Sequence, residues 1–348
     1  MRKPIIILSL LAALHTPSSQ AQDAHFSQYF VSPLSINPAL TGFMDGTARA
    51  MVNYRSQWAS VNNAFTTTTA SLDGIILQSK IPSIDRFGVG LMMMSDKVAD
   101  GLMTNNYLAF STSYHKGLDK EGRFSLGVGL QAIYANRGID GSKLQLNDEL
   151  DNYGNFSVGS KDAVATNQTL RSNYFDASAG LVFKAKINDR NQFYIGVSTY
   201  HLSQPKANFT ANSGDATLTV PMRTTINAGY EAKVSDMLSI SAIGLYTKQE
   251  SASETVIGGI ATIGRSYREY EHNLTGYLGC LYRFGDAVIP YVGLEYYDVR
   301  FGFSYDYNTS SLNAATKGQG GAEVSIVYLL RIPPNKRIQY LCPNNPKF

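Results

Sequence analysis

The sequence predicts an all-β fold: a transmembrane antiparallel β-barrel of about fourteen strands, set in a bacterial outer membrane. Three observations predict it. Strand-length segments with period-2 alternation recur from residue 47 to residue 331. Many of them reach the 9–11 or so residues that a strand needs to cross a bilayer, against about 5–6 in a soluble sheet. Charged residues make up only 16% of the chain while Tyr (22), Phe (16) and Gly (30) are plentiful, which suits a lipid-facing surface between aromatic girdles.

Taken in chain order, residues 1–21 have the layout of a secretory signal peptide. Arg2 and Lys3 are its positive start, Ile5 to Leu14 its apolar stretch, and Ser19-Gln20-Ala21 a small-x-small cleavage site before Gln22. The apolar stretch is too short to span a bilayer as a helix. Residues 22–46 follow as a segment outside the strand array, rich in Pro and aromatic residues.

The barrel is predicted over 47–331. Residues 47–58 set Ala48, Ala50, Val52, Tyr54 and Trp58 on one face against Thr47, Arg49, Asn53, Arg55 and Gln57 on the other. Residues 124–134 set Phe124, Leu126, Val128 and Leu130 against Ser125, Gly127, Gly129 and Gln131. Residues 175–185 set Phe175, Leu181 and Phe183 against Asp176, Ser178, Gly180 and Lys184. Residues 224–232 set Ile226, Ala228 and Tyr230 against Arg223, Thr225, Asn227 and Glu231. The last segment sets Val324, Ile326 and Tyr328 against Glu323 and Ser325, with Val327 and Leu329 as exceptions on the polar face.

A secreted β-sandwich shows the same alternation, with its apolar face on a core rather than on lipid; strand length favours the barrel. Strands are expected near 47–58, 65–76, 86–96, 105–116, 122–135, 174–186, 192–202, 221–232, 237–248, 253–264, 271–284, 287–297, 298–307 and 320–331. Pro290 has to sit at a strand end, a bulge or an edge-like position. Asn188-Asp189-Arg190-Asn191, Glu121-Gly122 and Gly285-Asp286 read as short turns, and 136–173 and 203–220 as long polar loops. Short turns are periplasmic in such barrels and long loops extracellular. Counting forward, Gly285-Asp286 then falls on the outer side despite its shortness, which puts the local strand count in question. Residues 332–348 form a basic, Pro-rich tail.

Function classes narrow by exclusion. The chain carries +3, and removing Arg2 and Lys3 with the signal leaves the remainder near neutrality, which gives no electrostatic case for nucleic acid. The two cysteines, Cys280 and Cys342, are too few for a disulfide scaffold. His25, His115, His201 and His272 show no metal-ligand spacing, and neither a Gly-x-Ser-x-Gly elbow nor a phosphate-binding Gly loop with its Lys occurs. No catalytic, cofactor or metal site is expected. Arg49, Arg55, Arg223 and Glu231 on the polar faces are expected to line the lumen and form ion pairs there, with a conducting pore as the rival role.

The segments outside the strands carry a resemblance. Residues 26–43, Phe-Ser-Gln-Tyr-Phe-Val-Ser-Pro-Leu-Ser-Ile-Asn-Pro-Ala-Leu-Thr-Gly-Phe, resemble the N-terminal signature of the PorP/SprF family of type IX secretion outer-membrane proteins of Bacteroidetes. Arg55-Ser56-Gln57-Trp58 resembles its next landmark. Phe301 to Tyr307, Ser311-Leu312 and Gly320 to Ser325 resemble its C-terminal signature, and Cys342-Pro343…Phe348 its ending, here with Asn344 to Lys347 intervening. The resemblance implies a non-enzymatic barrel of about fourteen strands in the secretion and gliding machinery. It implies anchoring or export of a cognate surface protein, often an adhesin with a type IX C-terminal domain, and contact with periplasmic ring lipoproteins. On that reading residues 22–46 sit at the periplasmic mouth or in the lumen. Phe26, Tyr29 and Phe30 serve as anchors and Asn37-Pro38 as a fixed turn, in a plug or in a partner-binding element. The alternative is an uptake channel for a small solute.

Overall fold

The computed structural model describes residues 23–59, 65–143, 149, 151, 170–207, 219–264, 274–310 and 318–331. Its strands are β1 Ala48–Gln57, β2 Phe65–Ile76, β3 Arg86–Val98, β4 Met103–Gly117, β5 Phe124–Ile139, β6 Leu170–Lys186 and β7 Asn191–Tyr200. They continue as β8 Arg223–Lys233, β9 Leu238–Gln249, β10 Ala252–Gly264, β11 Leu274–Arg283, β12 Ala287–Tyr296, β13 Val299–Asn308 and β14 Gln319–Leu330. These fourteen strands form one closed antiparallel sheet, each paired with its sequence neighbours and β1 closing onto β14. Closure leaves no sheet edge for lipid to meet along the paired length, which is what a bilayer demands of a strand-built span.

Ala48 pairs with Leu330, so the first strand begins and the last one ends at the same rim. That rim carries the connections 77–85, 118–123, 187–190, 234–237 and 297–298 and is called the turn end below. The opposite rim, the loop end, carries 140–169 and 201–222. Gly285-Asp286 also lies at the loop end, and the fourteen-strand count holds with it there: Arg283 pairs with Ala287 across a tight hairpin. The sequence reading ended its fifth strand too early and began its sixth too late. Their pairing continues through Asn136↔Asn173 and Arg137↔Ser172 to Ile139↔Leu170, polar positions that read locally as loop. Most of the remaining 140–169 connection, and the tail 332–348 with Cys342, lie outside the described residues.

Outward side chains are apolar along mid-strand, as at Val52, Leu72, Leu130, Leu181, Ile195, Ile226, Leu278 and Val292. Exposed aromatics gather at both rims. Tyr114, Phe124, Tyr230, Tyr296, Phe301 and Tyr328 stand near the turn end, and Tyr54, Tyr134, Phe175, Tyr246, Tyr282 and Tyr307 near the loop end. Such paired girdles fix the depth of a barrel in a membrane. Pro290 points outward within β12, and the β12–β13 ladder is interrupted there: Val288 pairs with Tyr307 and Tyr291 with Ser304, with no pairing between them. The missing Pro N–H accounts for the gap.

The core of this protein lies inside the barrel. Residues 23–47 run through the lumen as three short 3-10 turns, Tyr29–Val31, Pro33–Ser35 and Pro38–Leu40, and bury Phe26, Tyr29, Leu34, Ala39 and Leu40 against the wall.

Candidate functional site in the plugged lumen

The candidate site is the contact between this segment and the inner wall. Period-2 geometry sends Arg49, Asn53 and Arg55 of β1, Arg223, Asn227 and Glu231 of β8, and Glu323 and Ser325 of β14 inward together. The segment supplies short turns whose backbone groups need partners, since 3-10 turns of three residues satisfy few of them internally.

At the loop end the segment starts at Asp23, whose N–H donates to Gln249 Oε1 at 2.9 Å. Its carboxylate accepts from His201 Nε2 at 2.7 Å, and Arg223 stands 3.5 Å away. His201, one residue past β7, donates its Nδ1–H to Asp176 at 2.6 Å. Burial works against a charged His201, but Asp23 and Asp176 outweigh it and push the imidazole up to about 9. Burial likewise raises Asp23, and Arg223 and His201 more than reverse this, holding its carboxyl well below the usual range. Both ring nitrogens of His201 are therefore occupied donors, an arrangement that clamps a carboxylate and leaves no free base.

One turn further along, Asp306 accepts from Arg55 at 2.9 Å, Arg283 at 2.9 Å and Ser27 Oγ at 2.7 Å. Glu323 accepts the backbone N–H groups of Ser27 and Gln28 at 2.8 and 2.9 Å and Asn53 Nδ2 at 2.6 Å. Gln28 closes the layer, donating to Ser304 and accepting from Ser325 Oγ at 2.6 Å. Burial is tolerated because Asp306 is paired with two arginines, while Glu323, with no ion pair among the described residues, is held by three N–H donors.

At mid-height Tyr29 packs with Leu245, Val256, Leu281 and Ile289, and Phe30 meets Tyr291 edge-on at 5.2 Å. Leu34 packs on Met92, Ala109, Ile133 and Tyr200. Its carbonyl accepts from Tyr200 and Gln131 at 2.8 and 3.1 Å, and the Ser35 carbonyl accepts from Arg223 at 2.9 Å. Asn37 caps the third turn by accepting from Ala39 N–H at 2.9 Å, while its Nδ2 donates to the carbonyls of Leu181 and Val197 and to Asn227. Pro38 begins that turn, where a missing N–H costs nothing.

The wall thins to admit this turn. A Cβ on Gly129 would stand 2.2 Å from Ala39 N, and one on Gly180 would stand 2.0 Å from Asn37 Oδ1. Toward the turn end Thr41 bonds Ser111 and accepts from Ser113 at 2.6 Å. Gly42 N–H donates to Asp73, which also holds Arg49 at 2.8 Å. Phe43 lies 5.7 Å from the His115 ring and 5.5 Å from Tyr194. His115 faces Ser113 Oγ, whose proton goes to the Thr41 carbonyl, so the pair is a buttress and not an activated nucleophile.

The hollow left between the segment and β8–β10, bounded by Asp23, His25, Arg223 and Glu254, amounts to about 30 Å³. That is room on the scale of a water molecule or two.

Each of the residues singled out in the sequence has a definite place here. Phe26 and Tyr29 are buried in the lumen, Phe30 is half-buried against Tyr291, and Asn37 and Pro38 are buried at mid-height. Arg49, Arg55 and Arg223 point into the lumen and pair with Asp73, Asp306 and Asp23. Glu231 also faces inward but accepts from Gln192 at 2.6 Å, with no cation paired to it among the described residues. The sequence reading missed the acids Asp23, Asp73, Asp306 and Glu323 as partners, and Arg283 with them. Inward parity on their strands was the available signal for Asp73, Arg283, Asp306 and Glu323, and Asp23, ahead of the strands, had none.

A family model described as "Type IX secretion system membrane protein PorP/SprF" matches residues 18–328. No curated protein matches the chain. Among solved structures, a Pseudomonas aeruginosa FadL homologue is similar at 12% identity with a TM-score of 0.48, over 85% of this chain and 93% of that one. The P. putida toluene transporter TodX is similar at 12% identity with a TM-score of 0.45, over 85% and 93%. The KdgM porin is similar at 9% identity with a TM-score of 0.39, over 81% and 99%. Likeness at this level carries nothing about what the chain binds or passes.

Proposed function

The chain belongs to the PorP/SprF family of type IX secretion membrane proteins, and from that premise we propose that it is a plugged outer-membrane adaptor that holds other proteins and passes no solutes. In this reading it anchors, or assists the export of, a cognate cell-surface protein, an adhesin-type client bearing a type IX C-terminal domain. The client docks at the loop end, and the turn end meets periplasmic ring lipoproteins of the secretion and gliding machinery. The observation that carries the reading is the filled lumen: residues 23–47 cross the barrel from rim to rim and bond strands on every side of it. A solute path would require breaking those contacts. With the interior committed to the barrel's own chain, the surfaces left for function are the two rims.

The lumen also supports a non-enzymatic role. Of its histidines, His201 is clamped between carboxylates, His115 is braced against Thr41 and Ser113, and His25 stands 3.6 Å from Glu254. Trimming residues 140–168 tests the loop-end assignment: client display on the cell surface, read by antibody on intact cells, should be lost while barrel insertion is kept. Undiminished display with the trimmed barrel would sink the assignment. The rival, an uptake porin, predicts large single-channel steps in planar bilayers, where the plugged adaptor predicts none.

A further inference from the structure

The outer wall of β1–β4 changes character just below the loop end. Register stacks the outward side chains of these four strands in rows. The row Val52–Ala70–Met93–Leu108 is apolar. The next, Tyr54–Thr68–Ser95–Asn106, is polar, with Ser95 Oγ donating to Asn106 Oδ1 at 2.8 Å. The next again is Ser56–Thr66–Lys97–Thr104. Rows on one face lie about 7 Å apart along the strand, so the wall passes from hydrocarbon-compatible to hydroxyl- and amine-bearing within one step. Tyr54, a girdle residue, marks the boundary.

The uppermost row is also concave. With Tyr54, Asp100, Gly101 and Lys143 it lines a depression of about 480 Å³. Lys143 reaches back over the β3–β4 turn, its Nζ donating to the Asp100 carbonyl at 2.6 Å, which fixes the ammonium above the row and leaves its other N–H groups free to point outward. Neither Lys97 nor Lys143 forms an ion pair among the described residues. Two ammonium groups with no ion pair among the described residues thus stand at headgroup depth on a lipid-facing wall, in a depression they share with Tyr54, Ser56, Thr66 and Thr104.

We propose that this depression binds a phosphorylated sugar headgroup of an outer-leaflet glycolipid. Lys97 and Lys143 donate to the phosphate oxygens, as compact cations do. The strand hydroxyls and the Asp100 carboxylate meet the sugar hydroxyls. The acyl chains then run down the apolar row beneath, along Val52, Ala70, Met93 and Leu108. The chemistry fits this ligand better than a free anion because the cations sit directly above a surface that only acyl chains would cover.

The test uses the full-length barrel in detergent micelles, with binding read by native mass spectrometry. The probes are diphosphorylated lipid A, the same lipid enzymatically dephosphorylated, and inorganic phosphate. The wild type should retain lipid A. Dephosphorylation, or the double substitution K97Q/K143Q, should each weaken retention about tenfold, the loss expected on removing a charge-assisted hydrogen bond. Lys233→Gln at the turn end should change nothing, and all variants should keep the heat-modifiable mobility of a folded barrel. Equal retention by the double variant, or of the dephosphorylated lipid, overturns the proposal. Displacement of the lipid by millimolar inorganic phosphate also overturns it, in favour of a free-anion site.

Discussion

Gly129 and Gly180 hold the mid-height contact open, and substitution there tests how tightly the wall fits its contents. Gly129→Val places its side chain into the backbone of Pro38 and Ala39, and overpacking of this kind costs about 1–3 kcal/mol. The variant barrel should lose its heat-resistant mobility at a lower temperature than the wild type. Arg283→Ala leaves Asp306 buried with Arg55 as its remaining cation; breaking a buried pair costs about 3–5 kcal/mol, and the same gel assay should show the larger drop. The His201–Asp23 clamp has a defined pH window. His201 rises from 6.5 to about 9, so its contribution is complete below about pH 6.5 and fades as pH climbs through 9. Asp23 is depressed from 3.8, so its share is present above that value and is lost on acidification. Proteolysis of the segment's first residues should therefore accelerate between pH 7 and pH 10 in the wild type, and be fast already at pH 7 in His201→Gln. At this scale the sequence revealed which arginines face inward, because parity alone decides that. It did not reveal their partners. Arg55 and Asp306 lie 251 positions apart, and only the closed register brings them together.

The segment ahead of β1 behaves as an element in its own right. Deleting residues 24–43 should convert a silent barrel into one with large conductance steps, provided the strands still insert. Steps in the wild type, or silence after the deletion in an inserted barrel, would show that the segment is not what closes the lumen. The strands themselves were legible because alternation, length and turn residues agree at each of them. The segment was legible as a motif but not as a path. Its 3-10 turns have no periodicity that points to a surface, so nothing local said it would climb the whole lumen instead of resting at the mouth. The wall did hold a trace of it. Gly129 and Gly180 occupy inward positions on β5 and β6, and small residues facing inward imply that something approaches them closely. Gly285-Asp286 taught a different lesson: turn length is a poor guide to which rim a hairpin occupies when a two-residue connection such as 250–251 also serves the loop end.

For the whole molecule, orientation follows from placing the long connections outside and the short ones in the periplasm. Single cysteines at Ser142 and Asp236 check it. A membrane-impermeant thiol reagent applied to intact cells should label Ser142→Cys at the loop end and leave Asp236→Cys at the turn end unlabelled; the opposite pattern would invert every rim assignment made above. Asp23 is bonded to Gln249 and His201 at the loop end, while the chain after it descends the lumen to the turn end and continues there into β1. β1 in turn joins β14 as a continuous hydrogen-bonded seam from Ala48 to Gln57. The segment is therefore less a stopper than a post on which the wall is hung, with Ser27 and Gln28 holding Glu323 of the closing strand from within.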